Sequence, residues 1–316
     1  MLHIFSPFWR IVATCVAFFL AVLSLLVSLA AKSDANTQGS LTVDSRERTY
    51  ELHVPATYKT DQRVPLVLIL HGRLGDGRGT AALTHFDKVS DAHGFLAVYP
   101  DGLHRSWADG RKVTDSDKEG IDDVKFLSEL IHKLSSAHRI DGSRIYVTGI
   151  SNGGFMTQRV ACELSDQIAA VGVVAATMSE QIAASCHPTK PVSVLMMQGS
   201  LDTFVPIQGG AMGPNGSRGQ ILSLQATAEK WAGFDGCNSA PETSTLPDNA
   251  RDGTTVQRES FSGCKEQTEV VAYTVEGGGH TWPGGKQYLP AAIIGKTTRN
   301  IDASEILWEF FARHSR

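Results

Sequence analysis

A serine flanked by glycines is the strongest chemical signal in this sequence. Residues 149–153 read Gly-Ile-Ser-Asn-Gly, with Ser151 at the centre of a Gly-x-Ser-x-Gly pattern. The β-branched and aromatic run at 144–148 predicts a buried strand, and residues 155–161 have a composition compatible with a helix. Strand, sharp turn and helix together are the context in which such a serine acts as a nucleophile. Glycine is needed at the flanking positions because side chains there would collide with the neighbouring strand and helix.

A serine nucleophile needs a base, and the base needs an acid that orients it. In an α/β-hydrolase the three residues follow one another along the chain as Ser, acid and His. Asp202 comes just after an apolar strand candidate at 191–197, and His280 comes just after a strand candidate at 270–275. Three glycines precede His280 and Thr-Trp-Pro-Gly-Gly follows it, which predicts a mobile loop. We therefore predict a catalytic triad of Ser151, Asp202 and His280.

Each of these assignments has a plainer alternative. An Asp after a strand is commonly a turn or N-cap residue, and one of the 11 histidines is expected near the C-terminus by chance. The rival acids Asp235 and Asp248 follow no strand-like run. Joint placement, with the right order and the right strand ends, therefore favours Asp202 and His280.

The loop after a further apolar run supplies candidates for an oxyanion hole. Residues 67–70 form that run, and His-Gly-Arg follows it. In this fold one backbone N–H comes from such a loop and one from the residue after the nucleophile, which here are the amides of Arg73 and Asn152. Gly72 lets the backbone approach the substrate, and each donor would stabilise the transition state by roughly 3–4 kcal/mol. The alternative interpretation of His71 and Gly72 is an ordinary turn that ends a strand.

Aromatic residues and two irregular segments are the candidates for substrate binding. Trp107 and Trp282 could form an aromatic wall for a ring or a sugar, with His71 as a further candidate, and ordinary packing is the alternative for the tryptophans. The Gly-rich segment 209–219 and the polar segment 238–255 interrupt the pattern of strands and helices. Long loops at the carboxyl edge of a sheet commonly carry binding, so we expect these two to select the substrate.

Strands and helices alternate along most of the chain. The predicted elements are a hairpin of 41–43 and 50–54, strands at 65–70, 95–99, 144–148, 169–175 and 191–197, helices near 80–92, 121–136 and 153–164, and a closing amphipathic helix at 302–314. Such alternation is typical of a mostly parallel sheet with helices on both faces. We therefore predict the α/β class, with one α/β-hydrolase domain over residues 36–316 of the 316.

The first 35 residues differ in kind from the rest. Residues 11–31 are nearly all apolar and follow Arg10, and small residues at 28–30 and 33–35 offer sites for a signal peptidase. We predict a cleaved signal peptide at 1–35 and therefore a secreted protein, extracellular or periplasmic. An uncleaved N-terminal anchor is the alternative, because the apolar run reaches the roughly 20 residues of a membrane span. Only in that case would the protein be bound to a membrane.

The five cysteines point to the same compartment. Cys15 lies in the apolar leader, which leaves four, and an even number in an exported protein suggests two disulfides. Three pairings of these four are open, of which proximity in the sequence favours Cys162–Cys186 and Cys237–Cys264. Four buried thiols are the alternative. No spacing of Cys and His resembles a zinc site, and the predicted chemistry requires no metal and no cofactor.

The charge balance argues against nucleic acid as a partner. Lys and Arg number 29 against 33 Asp and Glu, which gives a formal net charge of -4, and no basic patch stands out. Apolar content of 42% and charged content of 20% are ordinary for a globular enzyme. We expect a monomer whose partner is an ester substrate.

Taken together, the motifs resemble those of the secreted esterases grouped as polyhydroxybutyrate depolymerases, feruloyl esterases and acetylxylan esterases. The matching stretches extend from about residue 40 to the C-terminus, and they are Leu-His-Gly at 70–72, Tyr-Pro-Asp-Gly at 99–102, Asp-Asp-Val at 122–124, Gly-Ile-Ser-Asn-Gly-Gly at 149–154, Gln-Gly-Ser-Leu-Asp at 198–202 and Gly-Gly-Gly-His-Thr-Trp-Pro-Gly-Gly at 277–285. The resemblance implies an α/β-hydrolase fold, ester hydrolysis, the triad named above and the two proximal disulfides. Arg73 departs from it, because a small or neutral residue is expected there. Its side chain could narrow the site or favour anionic substrates.

Ester hydrolysis leaves several substrates open. A feruloyl or acetyl esterase acting on plant polysaccharide would use an aromatic wall and a shallow cleft. A polyhydroxybutyrate depolymerase would need an exposed apolar rim, and a general short-chain esterase needs neither feature. We rank the three in that order. An acyltransferase would require exclusion of water, a peptidase could use the same triad, and an exported binding protein could keep the fold without turnover.

Overall fold

A ten-stranded sheet organises the part of the chain that the computed structural model describes, residues 36–238 and 240–316. The strands are β1 (Thr37–Val43), β2 (Arg46–His53), β3 (Val64–Leu70), β4 (Leu96–Pro100), β5 (Ile140–Ile150), β6 (Ala170–Val174), β7 (Ser193–Gly199), β8 (Gly210–Ala211), β9 (Gln220–Ile221), β10 (Glu242–Thr245), β11 (Thr255–Phe261) and β12 (Val270–Glu276). The order in the sheet is β1-β2-β4-β3-β5-β6-β7-β12-β11-β10, and β8 pairs with β9 in a separate ribbon. The predicted leader at 1–35 lies outside the described residues.

Helices cover both faces of this sheet. They are α1 (Gly77–Thr84), α2 (Phe86–His93), α3 (Asp115–Lys118), α4 (Asp123–Ala137), α5 (Asn152–Glu163), α6 (Glu180–Ser185), α7 (Leu224–Asp235), α8 (Ala291–Ile294) and α9 (Ala303–Ala312). Leu127 of α4, Met156 of α5 and Trp231 of α7 belong to the core cluster on one face. Phe86 of α2 and Phe311 of α9 belong to the cluster on the other face. The layers are therefore helix, sheet and helix, as the alternating pattern predicts.

The apolar run of β3 shows how the sequence matches this layering. Leu66, Leu68 and Leu70 pack in one core cluster, whereas Val67 and Ile69 pack in the other. Successive side chains of a strand point to opposite faces, so a strand covered on both sides is apolar at every position. None of the five side chains is exposed. Both clusters belong to one compact unit, residues 37–316.

The middle of the sheet is parallel and its edges are antiparallel. Strands β4, β3, β5, β6, β7 and β12 pair in parallel, whereas β1, β2, β10 and β11 are antiparallel to their neighbours. The carboxyl ends of parallel strands meet at one edge of the sheet, where ligands bind in open α/β folds. The turns after β3, β5, β7 and β12 therefore bring His71, Ser151, Asp202 and His280 to the same edge.

Two regions differ from the sequence prediction. The helix expected near 80–92 is two helices, because the left-handed backbone of His85, with φ 56°, ends α1 and precedes α2. The segment 238–255, expected to be irregular, contains the edge strand β10. Strand β11 has no counterpart in the prediction, since the polar sequence Gln-Arg-Glu in its middle separates the buried Val256 from the buried Ser260 and Phe261 and hides the apolar pattern.

Two disulfides tie helices to neighbouring segments. Cys162 near the end of α5 is bonded to Cys186 just after α6, and Cys237 shortly after α7 is bonded to Cys264 shortly after β11. The pairing that proximity favours is therefore confirmed. Across residues 36–238 and 240–316, no helix is long and apolar enough to cross a membrane. Within the same residues, no group of His, Cys, Asp and Glu side chains could hold a metal ion.

Candidate active site

The predicted nucleophile lies in a strained turn between β5 and α5. Ser151 has φ 57° and ψ -119°, a conformation that a residue with a side chain adopts only under strain. Backbone hydrogen bonds hold it there: its N–H donates to the Val174 carbonyl at 2.9 Å, and its carbonyl accepts from the Phe155 N–H at 2.9 Å. The turn thus presents the serine at the edge of the sheet where β5 ends.

Close packing explains both glycines of the pattern. A Cβ at Gly149 would lie 2.6 Å from the Gly153 carbonyl oxygen and 2.9 Å from the Leu70 Cβ. A Cβ at Gly153 would lie 2.4 Å from the Leu70 carbonyl oxygen. Backbone atoms cannot move away from such a contact without displacing β3 or α5, so the turn fits between them only without these side chains. The reason predicted for the two glycines is confirmed.

Asp202 is buried at the end of β7 and faces four hydrogen-bond donors. One carboxylate oxygen, Oδ2, accepts from His280 Nδ1 at 2.7 Å and from Gln198 Nε2 at 3.0 Å. The other, Oδ1, accepts from the backbone N–H groups of Phe204 at 2.8 Å and Val205 at 2.9 Å. An ionised carboxylate can only accept hydrogen bonds, and this surrounding supplies donors alone. The side chain is therefore fixed in the position that orients His280.

The loop that carries His280 is packed into the protein, which corrects the prediction of a mobile loop. The His280 N–H donates to the Ile294 carbonyl at 2.6 Å, and its carbonyl accepts from the Tyr288 hydroxyl at 2.8 Å. A Cβ at Gly279 would lie 2.0 Å from the Ile294 carbonyl oxygen, so the glycine before the histidine allows this close approach. The imidazole centroid lies 5.2 Å from that of Phe204, and His280 is only 6% exposed.

Two cavities meet at Ser151 and His280. Their volumes are about 330 Å³ and about 280 Å³. Arg73, Leu74 and Tyr288 also line both of them. The serine and the histidine therefore border the same space, although the hydrogen bonds of the described residues include none between them. Catalytic hydrogen bonds are often long in the absence of substrate and shorten when it binds.

The two amides predicted for the oxyanion hole border this space as well. Arg73 and Asn152 line the larger cavity, and neither N–H donates to a backbone carbonyl among the described residues. Asn152 is the first residue of α5, so its N–H has no acceptor within the helix and lies at the positive end of the helix dipole. A Cβ at Gly72 would lie 3.5 Å from the Ser151 Cβ, which places the loop after β3 against the nucleophile turn. Two unused donors beside a nucleophile are what a developing oxyanion needs.

A buried ion pair, which sequence reasoning missed, links the nucleophile turn to the loop beyond it. Nδ2 of Asn152 donates to Asp109 Oδ2 at 2.5 Å, and Arg111 donates to the same carboxylate at 3.0 Å from Nε and 2.6 Å from Nη2. Nη1 of Arg111 donates to the Arg218 carbonyl at 3.2 Å, while its guanidinium lies over the Phe155 ring at 4.0 Å. Burial raises the pKa of Asp109, although Arg111 acts to lower it. Nothing local to these residues distinguishes them from surface charges, which is why only the fold identifies the pair.

His71 does not contact the candidate substrate site, which corrects the prediction that it binds substrate. It is 1% exposed and lines neither cavity. Its Nε2 accepts from the Gly102 N–H at 2.9 Å, and its Nδ1 bonds the Gly72 carbonyl at 2.8 Å. Since Nε2 accepts, the ring is neutral with its proton on Nδ1, and burial lowers the pKa of His71 accordingly. The imidazole joins two loops of the scaffold.

Trp107 and Trp282 do not form an aromatic wall, which corrects a second prediction. Neither tryptophan has exposed surface, and neither lines one of the two cavities. Nε1 of Trp107 donates to the His71 carbonyl at 2.9 Å, and Nε1 of Trp282 donates to Ser304 Oγ at 3.1 Å. Large rings whose N–H is satisfied contribute most to stability when they are fully buried, and the fold uses both rings in that way.

The lining of the larger cavity comes from segments far apart in the sequence. The segment 209–219 contributes Met212, Ser217 and Arg218, as a role in substrate selection requires, whereas the segment 238–255 contributes no residue to either cavity. The lining residues that sequence reasoning missed are Leu74, Arg111, Val113, Thr114, Phe155, Phe204, Val205, Tyr288, Leu289 and Ile294.

Tyr288 is hydrogen-bonded to the backbone of the loop that carries His280. Its hydroxyl donates to the His280 carbonyl. Burial, with a smaller contribution from the Asp202 charge, raises the pKa of Tyr288 to about 12. The hydroxyl therefore stays protonated and keeps donating at neutral pH. No local motif identifies this tyrosine, because its contact with His280 depends on how the segment after His280 folds back against it.

Several proteins similar in sequence to this chain are named as esterases. A sequence model of the family described as Esterase PHB depolymerase matches residues 48–208, a stretch that contains Ser151 and Asp202 and ends before His280. The putative esterase NocK of Nocardia uniformis subsp. tsuyamanensis is 30% identical over 287 residues, which cover 88% of this chain and 83% of that protein. Feruloyl esterase B of Piromyces equi is 27% identical over 239 residues, which cover 73% of this chain but 42% of that protein.

Solved structures of low sequence identity share the fold. The acetyl xylan esterase from Aspergillus awamori superposes with a TM-score of 0.58 at 16% identity and covers 87% of this chain and 99% of its own. A thermostable esterase superposes with a TM-score of 0.57 at 17% identity and covers 90% of this chain and 64% of its own. The mostly parallel sheet with helices on both faces is thus the α/β-hydrolase fold, as the sequence predicts.

Proposed function

Because the chain belongs to the esterase PHB depolymerase family and is a carboxylic ester hydrolase, we propose that it cleaves its ester with Ser151, His280 and Asp202 as a catalytic triad. The observation that carries the proposal is the bond between His280 Nδ1 and Asp202 at 2.7 Å. With Nδ1–H donated to the carboxylate, Nε2 is the ring nitrogen left to act as a base. The shared border of Ser151 and His280 on two cavities supports the same assignment.

The proposed reaction has two halves. Nε2 of His280 takes the proton of Ser151 as Oγ attacks the ester carbonyl carbon, and the amides of Arg73 and Asn152 bind the oxyanion of the tetrahedral intermediate. His280 then gives the proton to the departing alcohol, which leaves an acyl group on Ser151. A water molecule, deprotonated by His280, attacks this acyl-enzyme and releases the acid. Asp202 keeps the imidazole oriented and stabilises its charged form in both halves.

The two cavities can hold the acyl part and the alcohol part of an ester. The carbonyl carbon must lie against Ser151, so the acyl and alcohol parts extend away from it in different directions. We assign the acyl group to the larger cavity, whose lining includes the apolar side chains of Phe204, Met212, Leu289 and Ile294. The alcohol then occupies the smaller one, at the side of α1.

For the natural substrate we propose a feruloyl or acetyl ester of plant polysaccharide. The relatives named as feruloyl esterases support this choice. The rings of Phe204 and Tyr288 border the larger cavity and can contact an aromatic acyl group in the place that the tryptophans do not take. A polyhydroxybutyrate chain or a short-chain ester is the second candidate, favoured by the aliphatic side chains of Met212, Leu289 and Ile294 in the same lining.

We also propose that the protein is exported. The two disulfides of the described residues support this, because disulfides persist in oxidising compartments. The apolar composition of residues 11–31 agrees with a secretion signal. The N-terminal mass of the protein recovered from medium or periplasm would show whether the leader is removed.

The triad is tested most directly through its serine. We expect the purified protein to react with a fluorophosphonate probe and to hydrolyse 4-nitrophenyl acetate, and we expect Ser151→Ala to lose both properties while it stays folded. Ser217→Ala is the matched control, since Ser217 lines the same cavity but has no role in the mechanism. Labelling and hydrolysis that persist in Ser151→Ala would refute the assignment.

The substrate is tested separately with methyl ferulate, acetylated xylan and amorphous polyhydroxybutyrate. A preference for the first two supports the polysaccharide proposal. A preference for the polyester would replace it with the second candidate. Activity on 4-nitrophenyl acetate alone would rule out all three as good substrates, without affecting the triad.

A further inference from the structure

The charge of the larger cavity is of one sign. Arg73, Arg111 and Arg218 line it, and no Asp or Glu of the described part of the chain does. The smaller cavity has Arg73 as its one arginine and, among the described residues, no carboxylate in its lining either. A concave site with walls of low polarity concentrates the field of its charges. An ester that enters this site therefore meets an arginine on both sides of Ser151.

Within the described part of the chain, the charge of one of the three arginines is neutralised by an ion pair. Arg111 is paired with the buried carboxylate of Asp109 at 2.6 Å. The ion pairs of residues 36–238 and 240–316 include none to Arg73 or Arg218. Both side chains are exposed. Their guanidinium groups are thus free to bind an anion that the protein itself does not supply.

Arg218 is held in place at the wall of the cavity. A Cβ at Gly213 would lie 2.8 Å from the Arg218 Cγ, so the stem of the side chain packs along this glycine. The guanidinium lies 5.6 Å from the centroid of the Phe204 ring, and that ring is the one beside His280. The Arg218 carbonyl accepts from Arg111, which anchors the loop. An arginine positioned in advance loses less conformational freedom when it binds a carboxylate.

Arg73 lies at the boundary of the two cavities. It lines both of them together with Ser151. Its amide is already assigned to the oxyanion hole, so its side chain starts next to the reacting carbonyl. A group bound by this guanidinium therefore lies within the length of one arginine side chain of the oxyanion amide, on either the acyl or the alcohol side of the ester.

We propose that the ester hydrolysed at this site carries a free carboxylate, which Arg73 and Arg218 bind. Guanidinium groups bind carboxylates through paired, charge-assisted hydrogen bonds. The inference rests on the proposed ester hydrolysis at Ser151. A carboxylate on the alcohol side agrees with a feruloyl or acetyl ester of plant polysaccharide, whereas a carboxylate on the acyl side would replace the feruloyl or acetyl group. Two sources have this chemistry. An acid-bearing acyl group, as in the monoester of a dicarboxylic acid, would meet both arginines in the larger cavity, whereas an acid-bearing alcohol, as in a sugar ester beside a uronic acid, would meet Arg73 in the smaller one.

Pairs of esters that differ only in charge distinguish these sources. For the acyl side, the full-length protein is assayed with the 4-nitrophenyl monoester of adipic acid and with its neutral isostere, 4-nitrophenyl 6-methylheptanoate. For the alcohol side, 4-carboxyphenyl acetate is compared with 4-carbamoylphenyl acetate, a neutral ester of the same shape whose ring substituent is also electron-withdrawing. The measured quantity is the ratio of kcat/KM for the charged ester to that for the neutral one, after subtraction of the enzyme-free rate. We expect a ratio of about 10 or more in one pair at low ionic strength, the size of a partly exposed charge-assisted contact.

Variants assign the preference to the arginines. For a preference on the acyl side we expect Arg218→Gln and Arg73→Gln each to reduce the ratio by about fivefold and Arg218→Lys to retain part of it. For a preference on the alcohol side we expect this reduction from Arg73→Gln alone, because Arg218 lines only the larger cavity. In either case 0.5 M salt should reduce the ratio through screening. Arg78→Gln is the matched control, because Arg78 is exposed on α1 and lines neither cavity. A ratio of 1 or below in both pairs, or a ratio that neither arginine variant changes, overturns the proposal. Hydrolysis that persists in Ser151→Ala would instead refute the proposed function.

Discussion

Asp235 gives this protein a specific dependence of stability on pH. It is the last residue of α7, and its side chain has no exposed surface. One carboxylate oxygen accepts from the Val192 N–H at 3.2 Å. Burial raises the pKa of Asp235 from 3.8 to about 7, because the smaller opposing effects of Val192, Thr268 and Lys265 do not offset it. The negative end of the helix dipole also disfavours a charge at this position.

The size and sign of the effect follow from this pKa. One pKa unit corresponds to about 1.4 kcal/mol, so a rise from 3.8 to about 7 amounts to about 4 kcal/mol at most. The folded protein holds a proton that the unfolded chain has released between pH 4 and 7, so stability falls as pH rises through this window. Below pH 4 Asp235 is protonated in both the folded and the unfolded state, and the folded state avoids the cost of a buried charge. Above pH 7 Asp235 is ionised in the folded state, and the free energy of unfolding is lowered by the full cost of that buried charge.

Asp235→Asn removes this titration with little change of shape. We expect the free energy of unfolding of the variant, relative to that of the natural protein, to rise by up to about 4 kcal/mol between pH 4 and pH 8. Urea unfolding followed by tryptophan fluorescence, with the disulfides intact, measures this difference. Asp166→Asn is the control, because Asp166 is exposed. A difference between Asp235→Asn and the natural protein that is the same at pH 4 and pH 8 would refute the reasoning.

Two further substitutions test the catalytic edge. Asp202→Asn places an N–H₂ group where the carboxylate meets four donors. We expect kcat to fall by about 10⁴-fold, as loss of the orienting acid does in Ser-His-Asp enzymes, with an unchanged far-UV spectrum, and a fall below tenfold would contradict the role of Asp202. Gly153→Ala puts a Cβ 2.4 Å from the Leu70 carbonyl oxygen, and we expect a loss of about 1–3 kcal/mol in urea unfolding together with loss of activity. Gly233→Ala, in an open position of α7, should instead stabilise the protein by about 1 kcal/mol, and equal effects of the two glycine substitutions would contradict the packing argument.

The nucleophile turn could be predicted because its geometry depends on residues that are close in the chain. The strand before Ser151, the glycines beside it and the helix after it are local requirements, and the structure has all of them. Asp202 and His280 could be predicted from the sequence for a related reason. Each follows a strand candidate, and parallel strands end at the same edge, so placement after a strand predicts proximity in space.

The sequence could not decide whether the tryptophans form an aromatic wall. Trp282 is two residues from His280 in the sequence, yet its ring packs in the core cluster with Phe86 and Leu307. Proximity in the sequence to a functional residue does not determine the direction in which a side chain points. Only the path of the whole loop decides that, and here it turns the ring into the core.

The sequence by itself determined the α/β class, the disulfide pairing favoured by proximity, the nucleophile turn and the edge at which the candidate triad meets. These follow from periodicity, from the conformational demands of glycine and from the order of elements along the chain. The tertiary structure alone decided which side chains surround Ser151, that Asp109 pairs with Arg111, and that Arg73 and Arg218 have no ion pair among the described residues. The physical reason is that burial depends on contacts between distant segments. Asp109 and Arg111 are neighbours in the sequence, but their pair is buried because Asn152, Phe155 and the Arg218 carbonyl pack against it, and no local pattern records which distant side chains will share one cavity.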